Sequence, residues 1–175
     1  MKKYLFLLLV VALAFSGCEK DDICDDSNIT TPRLVVSLYD NFVYTNSGID
    51  TQRNIIQIRA IATGVTDSIT WNNNTYLTNT NSFTLPLNTS TSSTEIALMK
   101  YNTSDYKGYP TPESISNIMI NYTGKNVYVS RACGYKKNFE LNDIPTFNSA
   151  EWIKNIVVSN SIIENEKVTH LKIYF

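Results

Sequence analysis

The chain is poor in the side chains that hydrolytic and metal chemistry draw on. Its 175 residues include one histidine, His170, and three cysteines. A serine hydrolase needs a histidine beside a nucleophile on a glycine-framed elbow, and that glycine pattern is missing. With one histidine, and with the cysteines committed elsewhere as argued below, a zinc site is poorly supplied. No catalytic residue, metal or cofactor is therefore expected. Basic charge is not in excess either: 15 Lys and Arg face 16 Asp and Glu, a formal net charge of −1. Nothing gathers to neutralise phosphates, so nucleic acid is not an expected partner. Carboxylates are plentiful, among them Glu95, Glu113, Glu140, Glu151, Glu164 and Glu166, but no spacing singles out a glycosidase pair. No stretch after the first apolar run shows a convincing helical period of any length.

That run stands at the start. Lys2-Lys3 precede the apolar segment Tyr4 to Phe15, which is followed by Ser16-Gly17-Cys18 and then Glu19-Lys20-Asp21-Asp22. As a helix the segment spans about 18 Å at about 1.5 Å per residue, well short of the roughly 30 Å hydrocarbon core. A basic start, a short apolar segment and small residues directly before a cysteine read as a secretory signal, residues 1–17, cut to leave Cys18 as the first mature residue. Its thiol is then the attachment point for lipid. The pattern resembles the bacterial lipoprotein box, with Phe15 where that box more often has leucine. Two or three acyl chains hold a protein stably at about 0.8 kcal/mol per buried CH₂, whereas one holds it marginally. The membrane is thus the expected partner through the lipid on Cys18. Lys20, Asp21 and Asp22 resemble the short lysine-plus-acid signal that sends lipoproteins of the Bacteroidota to the outer leaflet. The alternative is a solvated tether. The expected address is the outer membrane, displayed at the surface or else facing the periplasm.

Cleavage also removes Lys2 and Lys3, which takes the net charge to −3. What remains is about one domain, enough to bury a core. Residues 18–31 are acidic and polar and form a tether, and residues 32–175 are a single domain. With Cys18 lipidated, Cys24 and Cys133 are left as a pair in an oxidising compartment, where a bridge is the economical reading and two separate thiols the alternative.

From Pro32 onward short runs rich in Val, Ile, Tyr, Phe and Thr alternate with Asn, Ser, Thr and Asp, the texture of strands and turns. Arg33 to Tyr39 puts Leu34, Val36 and Leu38 on one face; Ile55 to Ala62 does so through Ile56, Ile58 and Ala60. Asn72 to Asn74 join Asp67–Trp71 to Thr75–Leu77 as a hairpin. Ser82 to Leu87 carries Pro86 and suits a sheet edge. Glu95 to Tyr101 is a strand, and Asn102 to Glu113 is irregular. Ser116 to Tyr122 turns at Gly124-Lys125 into Val127 to Arg131. The remaining strands are Tyr135 to Leu141, Trp152 to Ser159 and Val168 to Phe175, with a turn of helix allowed at Ala150 to Asn155. In the last strand Leu171, Ile173 and Phe175 lie on one face and His170, Lys172 and Tyr174 on the other, where His170 reads as a solvent-facing histidine. The expected fold is all-β, a two-sheet β-sandwich of short antiparallel strands with little helix.

The segments Cys18 to Cys24, Thr31-Pro32-Arg33-Leu34, Ser130 to Lys136, Asn165-Glu166 and His170 to Phe175 together resemble an uncharacterised family of flavobacterial lipoproteins. The resemblance implies a lipidated β domain with two matching cysteines, and no activity. It also makes Glu166 a plausible partner for Arg131, which continues the face of Val127 and Val129. A core-facing arginine needs a carboxylate or carbonyls, and the alternative is that Arg131 lies outside the core at a frayed strand end.

Tyr101, Tyr106 and Tyr109, beside Gly108 and Pro110, form a candidate binding loop, since flat amphipathic rings stack on sugars or anchor a protein partner. Trp71 and Tyr76 extend it. The alternative is tyrosines capping the core. The expected function is a non-enzymatic envelope lipoprotein, a structural or protein-interaction module, with a small-ligand or glycan-binding accessory lipoprotein as the alternative.

Overall fold

A computed structural model describes residues 31–62, 77–101, 112–148 and 152–175. The signal segment, Cys18, Lys20, Asp21, Asp22 and Cys24 lie outside these residues, as do most of the expected Asp67–Leu77 hairpin, Trp71, Tyr76, Tyr106, Tyr109 and Ala150. Contacts divide the chain into two units, residues 1–31 with 126–136, and residues 32–125 with 137–175.

The larger unit is an all-β sandwich. One sheet has the order β4-β1-β11-β9, built from β1 (Leu34–Tyr39), β4 (Ser82–Leu85), β9 (Asn155–Val158) and β11 (Leu171–Tyr174). The other has the order β10-β7-β6-β5-β2-β3, with β8 (Thr146–Phe147) paired to β6. Its strands are β2 (Ile55–Ala62), β3 (Leu77–Thr80), β5 (Ser93–Tyr101), β6 (Ser114–Ser130), β7 (Gly134–Leu141) and β10 (Ile162–Ile163). Leu34, Val36, Leu38, Ile156, Leu171 and Ile173 from the first sheet share one core with residues of the second, among them Ile58, Ile96, Leu98, Ile118, Ile120 and Phe139. β4 is an edge strand, as Pro86 directly after it requires.

Three features depart from a sandwich of short antiparallel strands. The first is that β1 pairs β11 in parallel, Val36 opposite Leu171 through Tyr39 opposite Tyr174. The second is that β6 runs 17 residues without turning at Gly124-Lys125. Gly124 serves there as a site of close approach: a Cβ at this position would meet Lys137 Cδ at 3.0 Å. The stem of Lys137 passes over the glycine, and its ammonium donates to the Thr89 carbonyl at 2.5 Å. The third is a helix that apolar periodicity does not signal, α1 (Asn41–Ser47). Asp40 caps its start by accepting the Val43 N–H at 3.0 Å, and Gly48 ends it in the left-handed region at φ 69°.

The inward face of β2 also begins differently. Ile55 is buried and Ile56 is 53% exposed, because the strand's alternation starts only after Gln57. Along β6 and β7 the alternation holds, with Ile118, Ile120 and Tyr122 against Phe139 and Leu141 in the core. Tyr122 meets Phe139 edge-on with ring centroids 5.1 Å apart. Its hydroxyl donates to the Asn88 carbonyl at 2.8 Å and sits 2.6 Å from Thr94 Oγ1, which in turn accepts the Asn88 N–H at 2.9 Å. A buried phenol is thereby satisfied, and the loop after β4 is pinned to the core.

The smaller unit contributes the outer ends of β6 and β7 and the turn between them, residues 131–133. Gly134 leaves the turn at φ 69°, the backbone freedom that its place beside Cys133 suggests. The Ser130 hydroxyl accepts the Cys133 N–H at 3.0 Å and tightens the turn.

Candidate functional site

Charged and aromatic groups converge on the face of the β1–β11 pair that points away from the core. All six residues of β1 are buried, so this second face is covered too. Part of the cover is α1. Tyr44 of that helix packs on Tyr174 with centroids 4.5 Å apart, and Tyr39 packs on Tyr174 at 5.5 Å. After Gly48 the chain returns along β1: Thr51 O accepts the Asp40 N–H at 2.9 Å, and Leu38 O accepts the Arg53 N–H at 3.0 Å. This return brings Asp50 over β11.

There the Lys172 ammonium donates to Asp50 Oδ2 at 2.5 Å and the Tyr174 hydroxyl donates to Asp50 Oδ1 at 2.7 Å. Lys172 Nζ also stands 5.5 Å from the centre of the Tyr39 ring. Hydrogen bonds from Lys172 and Tyr174 hold the Asp50 carboxyl below the usual carboxylate range. The same hydrogen bond raises Lys172, and burial, reinforced by Asp50, pushes the Tyr174 phenol well up. Each group is thus driven away from neutral pH. General acid–base work needs a group that titrates close to the working pH, so this arrangement is suited to clamping and not to proton transfer.

His170 lies at the start of the same strand pair and is fully buried, at 0% exposure. The expected solvent-facing position is therefore corrected. Its Nδ1 accepts the Val35 N–H at 2.9 Å, while the His170 backbone N–H donates to Val35 O at 2.9 Å. The imidazole stands in for a backbone acceptor just where the β1–β11 ladder begins. Beside it, the hydroxyls of Ser37 and Thr169 share a hydrogen bond of 2.8 Å. With Nδ1 accepting, the ring proton sits on Nε2, a buried atom with no hydrogen-bond partner among the described residues. Burial holds the His170 pKa below its ordinary 6.5, with Glu166 opposing the shift.

The other singled-out residues fall as follows. Arg131 is exposed in the hairpin turn, the frayed-end alternative. Glu166 Oε1 instead accepts the Arg33 N–H at 3.0 Å. Glu113 pairs with Lys100 at 3.2 Å, Glu140 and Glu164 are exposed, and Glu151 is outside the described residues. Among the described residues no three His, Cys, Asp or Glu gather as a metal site, and no helix is long and apolar enough to cross a membrane. Tyr101 closes β5 with 4% exposure, its hydroxyl on Met99 Sδ at 3.4 Å, and the rest of the expected binding loop, Tyr106 and Tyr109, lies outside the described residues. Exposed rings occur elsewhere. Tyr128 and Tyr135 face each other across the β6–β7 hairpin tip, centroids 5.4 Å apart, and are 58% and 69% exposed. Between them in sequence Cys133 is disulfide-bonded, and the other two cysteines of the chain, Cys18 and Cys24, both lie outside the described residues.

A model described as a family of unknown function, DUF6452, matches residues 55–175. The chain belongs to the DUF6452 family. No curated protein and no solved structure matches it. The DUF6452 match begins with β2 and runs through β11, so His170, Lys172, Tyr174 and the β6–β7 hairpin fall inside it, while Tyr39, Tyr44 and Asp50 precede it. Sequence reasoning passed over Asp50 and Tyr44, although the spacing of Asp40 and Gly48, a helix cap at each end, was a usable signal.

Proposed function

We propose that this DUF6452 protein is a lipoprotein of the bacterial outer membrane, held by lipid on Cys18, and that its β-sandwich is a non-enzymatic structural or protein-interaction module. The single observation that supports the structural reading is the Asp50–Lys172–Tyr174 cluster, whose hydrogen bonds clamp the chain after α1 onto β11. The address is supported by the order of basic, apolar and small residues before Cys18. In this reading Cys24 is the disulfide partner of Cys133, and Lys20, Asp21 and Asp22 direct surface display. A glycan-binding accessory has less support, because Tyr101 is withdrawn from the stacking platform it needs.

Two measurements test this. Cys18→Ala is expected to move the protein from the detergent phase to the aqueous phase and to leave the signal segment attached; partition as before would remove lipid as the anchor. Cross-linking in intact cells followed by purification is expected to recover other envelope proteins in fixed ratio. Turnover of a glycan or peptide by the purified protein, abolished by Asp50→Asn without unfolding, would replace the module with an enzyme.

A further inference from the structure

We propose that residues 164–170, the segment between β10 and β11, form an acid-released strap. It is closed over the start of β1 while His170 is neutral and lifts when the imidazole takes up a proton, with the sandwich folded in both states. The inference goes beyond the function proposed above and does not depend on how the chain is anchored.

Three observations lead to it. The first is how the strap is fastened. Main-chain pairing of β1 with β11 begins only at Val36 and Leu171. Around that point three alternate residues of the leading strand are gripped by side chains of the strap. The Arg33 N–H donates to Glu166 Oε1 at 3.0 Å, the Val35 N–H donates to His170 Nδ1 at 2.9 Å, and the Ser37 and Thr169 hydroxyls lie 2.8 Å apart. One main-chain bond, from the His170 N–H to Val35 O, completes the fastening.

The second is the chemistry of the catch. Nδ1 accepts only while it is unprotonated; in the imidazolium both ring nitrogens are donors, and Nδ1–H would meet the Val35 N–H head on. The closed state has no acceptor for the new charge among the described residues, because the ring is fully buried and Nε2 is already without a partner there. Exposing the ring to water relieves both the buried charge and the facing donors. The charged groups of the surrounding elements are Glu164, Glu166 and Lys167 of the strap, Arg33 ahead of β1, and Lys172 of β11 with its partner Asp50. β4, β9 and α1 contain none. The phenols Tyr39, Tyr44 and Tyr174 gather at the other end of the strand pair. Of all these Glu166 acts on the imidazole, and it favours the proton.

The third is that the motion can stay local. From Glu164 to Thr169 the strap is exposed or half-buried, and it is bounded by the core residues Ile163 and Leu171. The His170 carbonyl accepts the N–H groups of Ser159 and Asn160 at 2.8 and 3.2 Å, which marks the hinge. β1 is held independently: Leu34 and Val36 lie in the core and pair with Leu85 and Phe83 of β4. Segments with few buried apolar contacts open at a lower free energy than the core they lie on. Lifting this one uncovers the outward side of Val35 and Ser37, which are buried while it is closed.

Hydrogen exchange read by NMR on the full-length protein tests the strap, with the His170 ring titration followed in the same samples. The amides of Val35 and His170 report the strap. Leu38, whose N–H donates to Asn81 O at 2.8 Å, and Tyr122, whose N–H donates to Ser92 O at 2.9 Å, are references in the same strand and in the opposite sheet. From about pH 6.5 down to the folded His170 value, the open population is expected to rise about tenfold per pH unit, so protection of the two strap amides relative to the references falls by that factor. His170→Asn, whose Oδ1 can accept where Nδ1 does and does not titrate, is expected to lose this dependence. Val35 protection that holds while the ring titrates, or that is lost only together with Leu38 and Tyr122, overturns the proposal, as does the wild-type pH slope retained in His170→Asn. The first two outcomes are read on the natural protein, so they decide the matter even where the variant does not fold.

Discussion

At the scale of single residues, His170 is the position where chemistry and architecture meet. Its Nδ1 takes the Val35 N–H that would otherwise be an orphan where two parallel strands begin to pair. His170→Ala is expected to cost about 1 to 3 kcal/mol for the orphaned amide, with the cavity adding to it. The same burial makes stability depend on pH. The folded pKa lies below the ordinary 6.5, so the unfolded chain takes up a proton that the folded chain refuses. The contribution is complete above the unfolded value and is lost as pH falls from there through the folded value. Urea melts between about pH 7.5 and pH 5 should show stability falling on that acid side, and His170→Ala should flatten this part of the curve. An unchanged slope in the variant would assign the dependence to other groups. Tyr174→Phe is a second residue-scale test, because it removes the donor to Asp50 Oδ1 while leaving the ring packed between Tyr39 and Tyr44. A loss of about 1.5 to 3 kcal/mol is expected for a hydrogen bond to a charged group, reduced by the partial exposure of Asp50.

Elements are held by features that propensity alone does not supply. α1 is short and contains Phe42, Val43, Tyr44 and Thr45, poor helix formers for a helix of seven residues. Its caps and the packing of Tyr44 offset that weakness. Asp40→Ala should therefore lower stability by about 1 kcal/mol, since Asp40 both caps the helix and stands 3.5 Å from Arg53. In β6 the telling position is Gly124. A glycine in a strand interior normally weakens it, so Gly124→Val would stabilise an isolated strand. Here the new side chain would press on the Lys137 stem at 3.0 Å, and the variant is expected to be neutral or less stable. In a Lys137→Ala background the same substitution should become stabilising. A double-mutant cycle read by thermal melts isolates that sign change, and additivity of the two substitutions would refute the close-approach role.

For the whole molecule, the parallel pairing of β1 with β11 joins segments about 135 residues apart, as the Val35–His170 bond does. Loop closure over that length has to be recovered by the contacts it permits, and the buried second face of β1 is part of that recovery. The disulfide acts at the same scale. The proposed bridge from Cys24 to Cys133 would close a loop of about a hundred residues, for which chain entropy gives at most about 4 to 5 kcal/mol. Cys133→Ser is expected to weaken the protein by up to a few kcal/mol, and peptide mapping without reductant should recover one cross-linked pair containing Cys24. Alkylation of both Cys24 and Cys133 in the native, unreduced protein would rule the pairing out.

The β class and the two-layer sandwich were legible in the chain, because period-two alternation with Val, Ile and Tyr is a local pattern that each strand carries by itself. So were the inward rows of β1 and β6 and the edge place of the Pro86 strand. The proposed amino-terminal signal also rests on a purely local pattern, in residues outside those the structure describes. What the tertiary structure decided depends on contacts between segments far apart. His170 alternates with Leu171 and so reads as solvent-facing, but the start of β1 turns that side into an interior. Gly124-Lys125 reads as a turn until the Lys137 stem gives the glycine another reason to be there. Asp50 is an ordinary loop acid until α1 folds it back over Lys172 and Tyr174. Alternation tells which side of a strand a residue occupies, and only the arrival of another segment determines whether that side is covered.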